Sequence, residues 1–166
     1  RSIVYPGTCL HKNVDGNFVA YRLNIKKTLQ NIDSKSLKFF ETGHKSDQEG
    51  IEQRINPDEL ITKFGDIVIA RKDIGTSYNL AVVVDDAEQN VTHVTRGDDL
   101  FDVTPIQVLL QNILSIPTPV YNHHKLILDD LGNRMAKRSY SNSIVSLKER
   151  GITPAQIFDL LSVKVN

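Results

Sequence analysis

The chain has 166 residues, with 20 lysines and arginines against 20 aspartates and glutamates and 40% hydrophobic residues. That length and composition suit one folded domain with a real core, and the charge balance excludes nucleic-acid binding by bulk charge, so any RNA contact must use a local patch. The single cysteine, Cys9, excludes an intrachain disulfide, no apolar run approaches the ~20 residues of a membrane helix, and residues 1–6 lack the layout of a signal peptide.

Residues 1–64 are polar and irregular, punctuated by Gly7, Gly16, Gly43, Gly50 and Pro57. Short apolar runs there, such as the one holding Phe18, Val19, Tyr21 and Leu23, predict edge strands, and the Gly- and charge-rich residues 42–53 predict a mobile loop. From Gly65 the character changes. Ile67, Val68 and Ile69 predict a strand over 66–71. After Gly75, residues 78–86 are nearly all apolar and β-branched, which predicts a strand buried on both faces of a parallel sheet. It would end in Asp85 and Asp86, at the carboxyl edge where open α/β sheets bind ligands.

A helix is strongly marked next. Thr104 is read as its N-cap, Pro105 as its first residue and Gln107 as the glutamine of a capping box. Ile106, Leu109, Leu110, Ile113 and Leu114 follow at helical spacing as one buried stripe, and the helix stops before Pro117. A second strand is predicted over 123–128. Two helices close the chain, one over 143–150 that ends at Gly151, the other opened by Thr153, Pro154 and Gln156 and burying Ile157, Leu160 and Leu161. This alternation of strands and helices predicts half of a doubly wound α/β domain.

Four features carry candidate chemistry. Arg96, before Gly97 and ahead of a capped helix, would aim a planar guanidinium fork at a carboxylate in the crevice; a surface salt bridge to Asp98 or Asp99 is the competing reading. Arg134, Lys137 and Arg138 place three cations in five residues after a glycine turn, suited to charge building on a phosphate, or simply a solvated basic loop. His123 and His124 alternate faces of a strand and so read as structural or substrate-packing rather than as a metal pair. Tyr5 and Cys9 alone offer one phenol and one thiolate, which do not make a zinc site.

In order and spacing, the runs at 93–100, 104–107, 117–123 and 132–138, with 78–87 before them, resemble the second half of the glutamyl-tRNA synthetase catalytic domain. The loop Arg134, Met135, Ala136, Lys137, Arg138 is similar to the K-L-S-K-R loop of class I synthetases. The run of residues 5–9, Ala87 after the aspartate pair, and a chain end soon after 146–156 resemble the short glutamyl-queuosine tRNA(Asp) synthetases. The similarity covers 1–9 and 65–161 and is weak over 10–64.

The resemblance implies an α/β fold: the C-terminal half of a Rossmann-like class I catalytic domain with an inserted α+β connective segment. Residues 1–64 would be the insert with a remnant of the zinc-binding region, and 65–166 the catalytic half. It implies a ligase in which Lys137 is catalytic and contacts ATP together with Arg134, Met135, Ala136 and Arg138. Tyr78 and Arg96 would bind glutamate, and Tyr5 and Cys9 would be half of a zinc site. ATP is the implied co-substrate with Mg2+, and Zn2+ belongs to the intact family member. The implied partners are glutamate, ATP and the queuosine-bearing anticodon loop of tRNA(Asp), for a cytoplasmic monomer with no membrane association. The sequence departs from the family at Arg134, in place of a lysine, and at Ala136, in place of a serine. It contains no H-I-G-H-like motif, no upstream pair of zinc cysteines and no N-terminal glutamate-binding arginine. The expectation is therefore a partial chain that by itself neither binds ATP tightly nor holds zinc. Two other readings stay open: a piece of a full glutamyl-tRNA synthetase, or a degenerate, non-catalytic binding module.

Overall fold

A computed structural model describes residues 4–12, 19–47, 49–73, 75–128 and 143–160. In chain order, β1 (Ala20–Leu23) is followed by α1 (Ile25–Leu29), β2 (Lys38–Glu41), β3 (Ile51–Arg54), α2 (Pro57–Phe64), β4 (Ile67–Arg71) and β5 (Gly75–Thr76). Then come α3 (Tyr78–Glu88), β6 (His93–Gly97), a 3-10 helix (Asp98–Val103), α4 (Thr104–Leu114) and β7 (Val120–His124), and these complete the first of two compact units, within Arg1–His124. The second unit, within Lys125–Asn166, holds α5 (Ile144–Glu149) and α6 (Pro154–Leu160). Among the described residues no helix is long and apolar enough to cross a membrane.

Two sheets organise the first unit. One is antiparallel, in the order β1-β4-β5; the other is mixed, in the order β3-β2-β7-β6. In the mixed sheet β2 pairs antiparallel with β3, while β7 runs parallel to both β2 and β6. The α/β architecture is thus observed, with the parallel strands β2, β7 and β6 at its centre. Phe39 and Glu41 are buried between exposed neighbours along β2, and Tyr121 and His123 are buried between more open neighbours along β7, so one face of this sheet is buried.

Helix α4 covers that face, and its residues Thr104 and Ile106–Gln111 are all buried. Ile106, Val108, Leu109 and Leu110 join Ile25, Leu37, Phe39, Leu60, Val83 and Tyr121 in a single apolar cluster. The expected stripe is shorter than its spacing suggested, because Ile113 and Leu114, at the last turn, are exposed. The helix ends where Ser115 adopts a left-handed conformation, φ 56°, ahead of Pro117.

Three local expectations change. Residues 78–86 are helix, not strand. Ser77 Oγ accepts the Leu80 N–H at 3.4 Å as an N-cap, and of the whole run only Val83 is fully buried. Five small apolar residues in succession satisfy either periodicity, and the cap and the 11-residue length decide for helix. Residues 42–53 are not all loop, since β3 starts at Ile51 and pairs with β2. The strand expected over 123–128 instead spans Val120–His124.

In the second unit the capping grammar holds. Ser143 Oγ accepts the Ser146 N–H at 3.1 Å, and α5 is followed by Gly151 at φ 80°. Thr153 N–H donates to Gln156 Oε1 at 2.9 Å, while Thr153 Oγ1 accepts the Gln156 N–H at 3.4 Å, a reciprocal box at the start of α6. Ile157 is half-buried; the Leu160 side chain and Leu161 lie outside the described residues.

Candidate functional site

Arg96 sits on β6 directly opposite His123 of β7, and Val94 sits opposite Tyr121. Residues in register on neighbouring strands share a face, so the guanidinium lies on the buried side of the sheet, under α4. Three side chains accept its hydrogens. Nε donates to His123 Nε2 at 3.0 Å, Nη1 to Gln107 Oε1 at 2.7 Å and Nη2 to Thr104 Oγ1 at 2.7 Å. The Tyr121 ring lies beneath it, 4.9 Å from Cζ.

The competing reading, a surface salt bridge from Arg96 to Asp98, is not what forms. Asp98 Oδ1 instead faces Lys45 Nζ at 3.0 Å and His44 Nε2 at 3.2 Å, both from the loop after β2. Burial would raise the Asp98 carboxyl, but Lys45 and His44 outweigh it and hold the group below the usual carboxylate range. The predicted capping box is also replaced. Thr104 and Gln107 are buried, and both turn their polar atoms to Arg96 rather than to the helix terminus, which has no side-chain cap.

Because arginine only donates, the Gln107 amide is fixed with Oε1 toward Arg96. Its Nε2 then donates to Asn79 Oδ1 at 3.2 Å, which ties α4 to the first turn of α3. The neighbour of Asn79 is Tyr78, which is 58% exposed. Burial lowers the pKa of Arg96; the phenols of Tyr121 and Tyr78 and the carboxylate of Asp86 oppose that shift, and Tyr78 does so partly as a hydrogen-bond partner. Tyr78 and Asp86 stand two helical turns apart on α3. Asp86 is itself raised above the ordinary carboxylate value, first by burial and then by Asp85, against the pull of Arg96.

Behind Arg96 lies a pair that local sequence did not reveal. Arg96 Nε–H can donate to His123 Nε2 only if that nitrogen is unprotonated, so the ring proton sits on Nδ1. Nδ1 meets Glu41 Oε2 at 2.6 Å. The other oxygen, Oε1, accepts the backbone N–H of His123 at 2.9 Å and of Gly43 at 2.7 Å. Glu41 and His123 are both fully buried. Burial holds the imidazole below its ordinary pKa and Arg96 adds to this, while Glu41 and Asp98 push the other way. A Cβ at Gly43 would overlap the His123 backbone and Glu41 Oε1, so only glycine allows this approach.

Of the other predicted site residues, Tyr5 and Cys9 lie together, with the Cys9 N–H donating to Tyr5 Oη at 2.6 Å. The phenol oxygen therefore already accepts a backbone hydrogen, and among the described residues no group of three or more His, Cys, Asp or Glu could hold a metal ion. A structural zinc ion takes four ligands, so Tyr5 and Cys9 by themselves could supply half of such a site at most. Arg134, Met135, Ala136, Lys137 and Arg138 lie outside the described residues.

Comparison with known proteins matches residues 31–164 to the model of tRNA synthetases class I (E and Q), catalytic domain. The chain is 42% identical to a glutamyl-Q tRNA(Asp) synthetase of Rhodobacter capsulatus, over 97% of the chain and 57% of that protein. It is 35% identical to one from a Janthinobacterium species, over 82% of the chain and 43% of that protein. It is 41% identical to a glutamate–tRNA ligase of Chromobacterium violaceum, over 58% of the chain and 21% of that protein. The chain thus spans about half the length of the two glutamyl-Q relatives. With most of its residues matched by the family model, the chain belongs to the class I tRNA synthetases for Glu and Gln and carries catalytic-domain sequence of that family.

Proposed function

We propose that the chain contributes the glutamate-binding side of an active site that joins glutamate to AMP and passes the glutamyl group to the queuosine base of tRNA(Asp). The observation that carries this reading is Arg96, a half-buried cation whose three acceptors are all uncharged, beside the open phenol of Tyr78. A guanidinium neutralised by no direct carboxylate partner is suited to an anionic ligand.

The chemistry suggests which carboxylate it holds. Activation needs the α-carboxylate of glutamate to attack the α-phosphate of ATP as the bond to the departing pyrophosphate breaks, and a bound guanidinium would draw electron density from that nucleophile. Arg96 therefore suits the side-chain carboxylate, the group that separates glutamate from glutamine. The loop of Arg134, Met135, Ala136, Lys137 and Arg138 would meet ATP and its Mg2+, with Lys137 countering charge that builds on the phosphate as the bond forms.

L-glutamate titrated into the chain by calorimetry tests the site. Binding is expected, with Arg96→Ala weakening it by ~100-fold or more, since truncation leaves a carboxylate unpaired, and with glutamine much weaker than glutamate. Equal binding of glutamine and glutamate would sink the reading. A second reading, glutamate attached to tRNA(Glu), is favoured by the likeness to the Chromobacterium violaceum ligase. Transfer of labelled glutamate by the complete enzyme to queuosine-containing tRNA(Asp), against tRNA(Glu), separates the two.

A further inference from the structure

We propose that Glu41 and His123 form a positioning pair for Arg96: Glu41 keeps the proton of His123 on Nδ1, so that Nε2 is free to receive Arg96 Nε–H and seat the guanidinium without neutralising it. The proposal rests on the reading of Arg96 as the glutamate-binding cation.

A buried carboxylate is costly unless its lone pairs are met, and here three donors meet them, two from the backbone and one from the imidazole. None of those donors is the substrate cation. A carboxylate placed directly on Arg96 would form an internal fork and occupy the donors a ligand needs. The imidazole instead stands between the two charges. It takes the negative group on one ring nitrogen and the arginine on the other, at 2.6 and 3.0 Å. Glutamate at position 41 therefore dictates the tautomer, and the tautomer dictates whether position 123 attracts or repels Arg96. With Nε committed, the side-on fork of Nε and one terminal nitrogen is closed. The ligand carboxylate is left to the terminal nitrogens, each of which already gives one hydrogen to Gln107 or Thr104.

The test compares two amides at position 123. Glutamine reaches roughly to Nε2 of the imidazole and presents an acceptor to Arg96; asparagine ends near Nδ1 and does not reach it. Both remove the ring, and asparagine can still donate to Glu41 where glutamine cannot, so a purely structural role would favour asparagine. In the 166-residue chain, His123→Gln is expected to keep glutamate affinity within about threefold of wild type, and His123→Asn to lose about tenfold or more. Equal glutamate affinities in the two variants would overturn the proposal. Isotope-detected NMR of the imidazole is expected to show Nδ1 protonated and Nε2 bare at neutral pH, with Glu41→Gln shifting the proton toward Nε2. A ring protonated on Nε2 in the wild type overturns the proposal whatever the ligand does. Should the wild-type chain bind no glutamate, the reading of the site falls. The positioning pair is then judged by the Arg96 Nε–H resonance, which is expected to exchange slowly in wild type and His123→Gln and rapidly in His123→Asn; equal exchange in all three refutes it.

Discussion

Thr104 Oγ1 lies 2.7 Å from Arg96 Nη2, so the hydroxyl that the sequence offers to a helix terminus is held by a guanidinium eight residues upstream. Thr104 is fully buried. Replacement by valine keeps the shape and removes the acceptor, leaving a charged donor unpaired. Thr104→Val is expected to cost roughly 1–3 kcal/mol, read from urea unfolding, with Thr104→Ser recovering most of it. Equal losses in both variants would show that the methyl, not the hydroxyl, matters.

Gly43 stands against the backbone of His123 with no room for a side chain. Gly43→Ala must push β7 or Glu41 aside, so a loss of about 3 kcal/mol is expected, at the upper end for overpacked cores. Chemical denaturation measures it. A wild-type midpoint would mean that the β2–β7 junction yields without strain.

The middle and the last turn of α4 should respond differently. Leu109 is fully buried and Leu114 is 43% exposed. Leu109→Ala is expected to cost about 2–5 kcal/mol and Leu114→Ala less than about 1 kcal/mol. Comparable costs would restore the longer apolar stripe that helical spacing alone suggested.

Acid should weaken the fold through His123. The folded ring is held neutral below its ordinary pKa by burial first and then by Arg96. The groups facing it are Glu41 from β2, Arg96 from β6 and Asp98 from the 3-10 helix. The unfolded chain takes up a proton near pH ~6.5 that the folded chain refuses. The stability contributed by the neutral ring is therefore complete above that pH and declines as pH falls from there toward the folded pKa. Thermal midpoints measured across this window should fall more steeply for wild type than for His123→Gln. Parallel slopes would remove His123 from the account.

Much of the scaffold could be read from local signals. The breaks at Gly65 and Pro117, the apolar positions Ile106, Leu109 and Leu110, the stop at Gly151 and the box at Thr153 all have short-range physical causes, and the structure places elements accordingly. Residues 78–86 failed because a run of small apolar residues carries no period; Ser77, whose hydroxyl caps α3, was the signal available. Thr104 and Gln107 failed for another reason, since the same side chains serve a cap or a buried arginine, and only the strand brought beside them decides. Arg96 was singled out from its place before Gly97. Glu41 was not, because its partner His123 is 82 residues away and nothing near either residue announces the other.

That separation ties the order of folding to readiness for a ligand. Residues 41 and 121 pair across β2 and β7, and this seam closes a loop of nearly eighty residues. Until it forms, His123 has no anion to set its ring, and Arg96 has no bare nitrogen to lean on. A collapsed chain with α3 and α4 intact but β2 and β7 unpaired would still offer a swinging cation in place of a fixed one. A ligand that demands the fixed cation binds only the closed topology and stabilises it by mass action, so affinity for the ligand doubles as a gauge of whether β2 and β7 have paired.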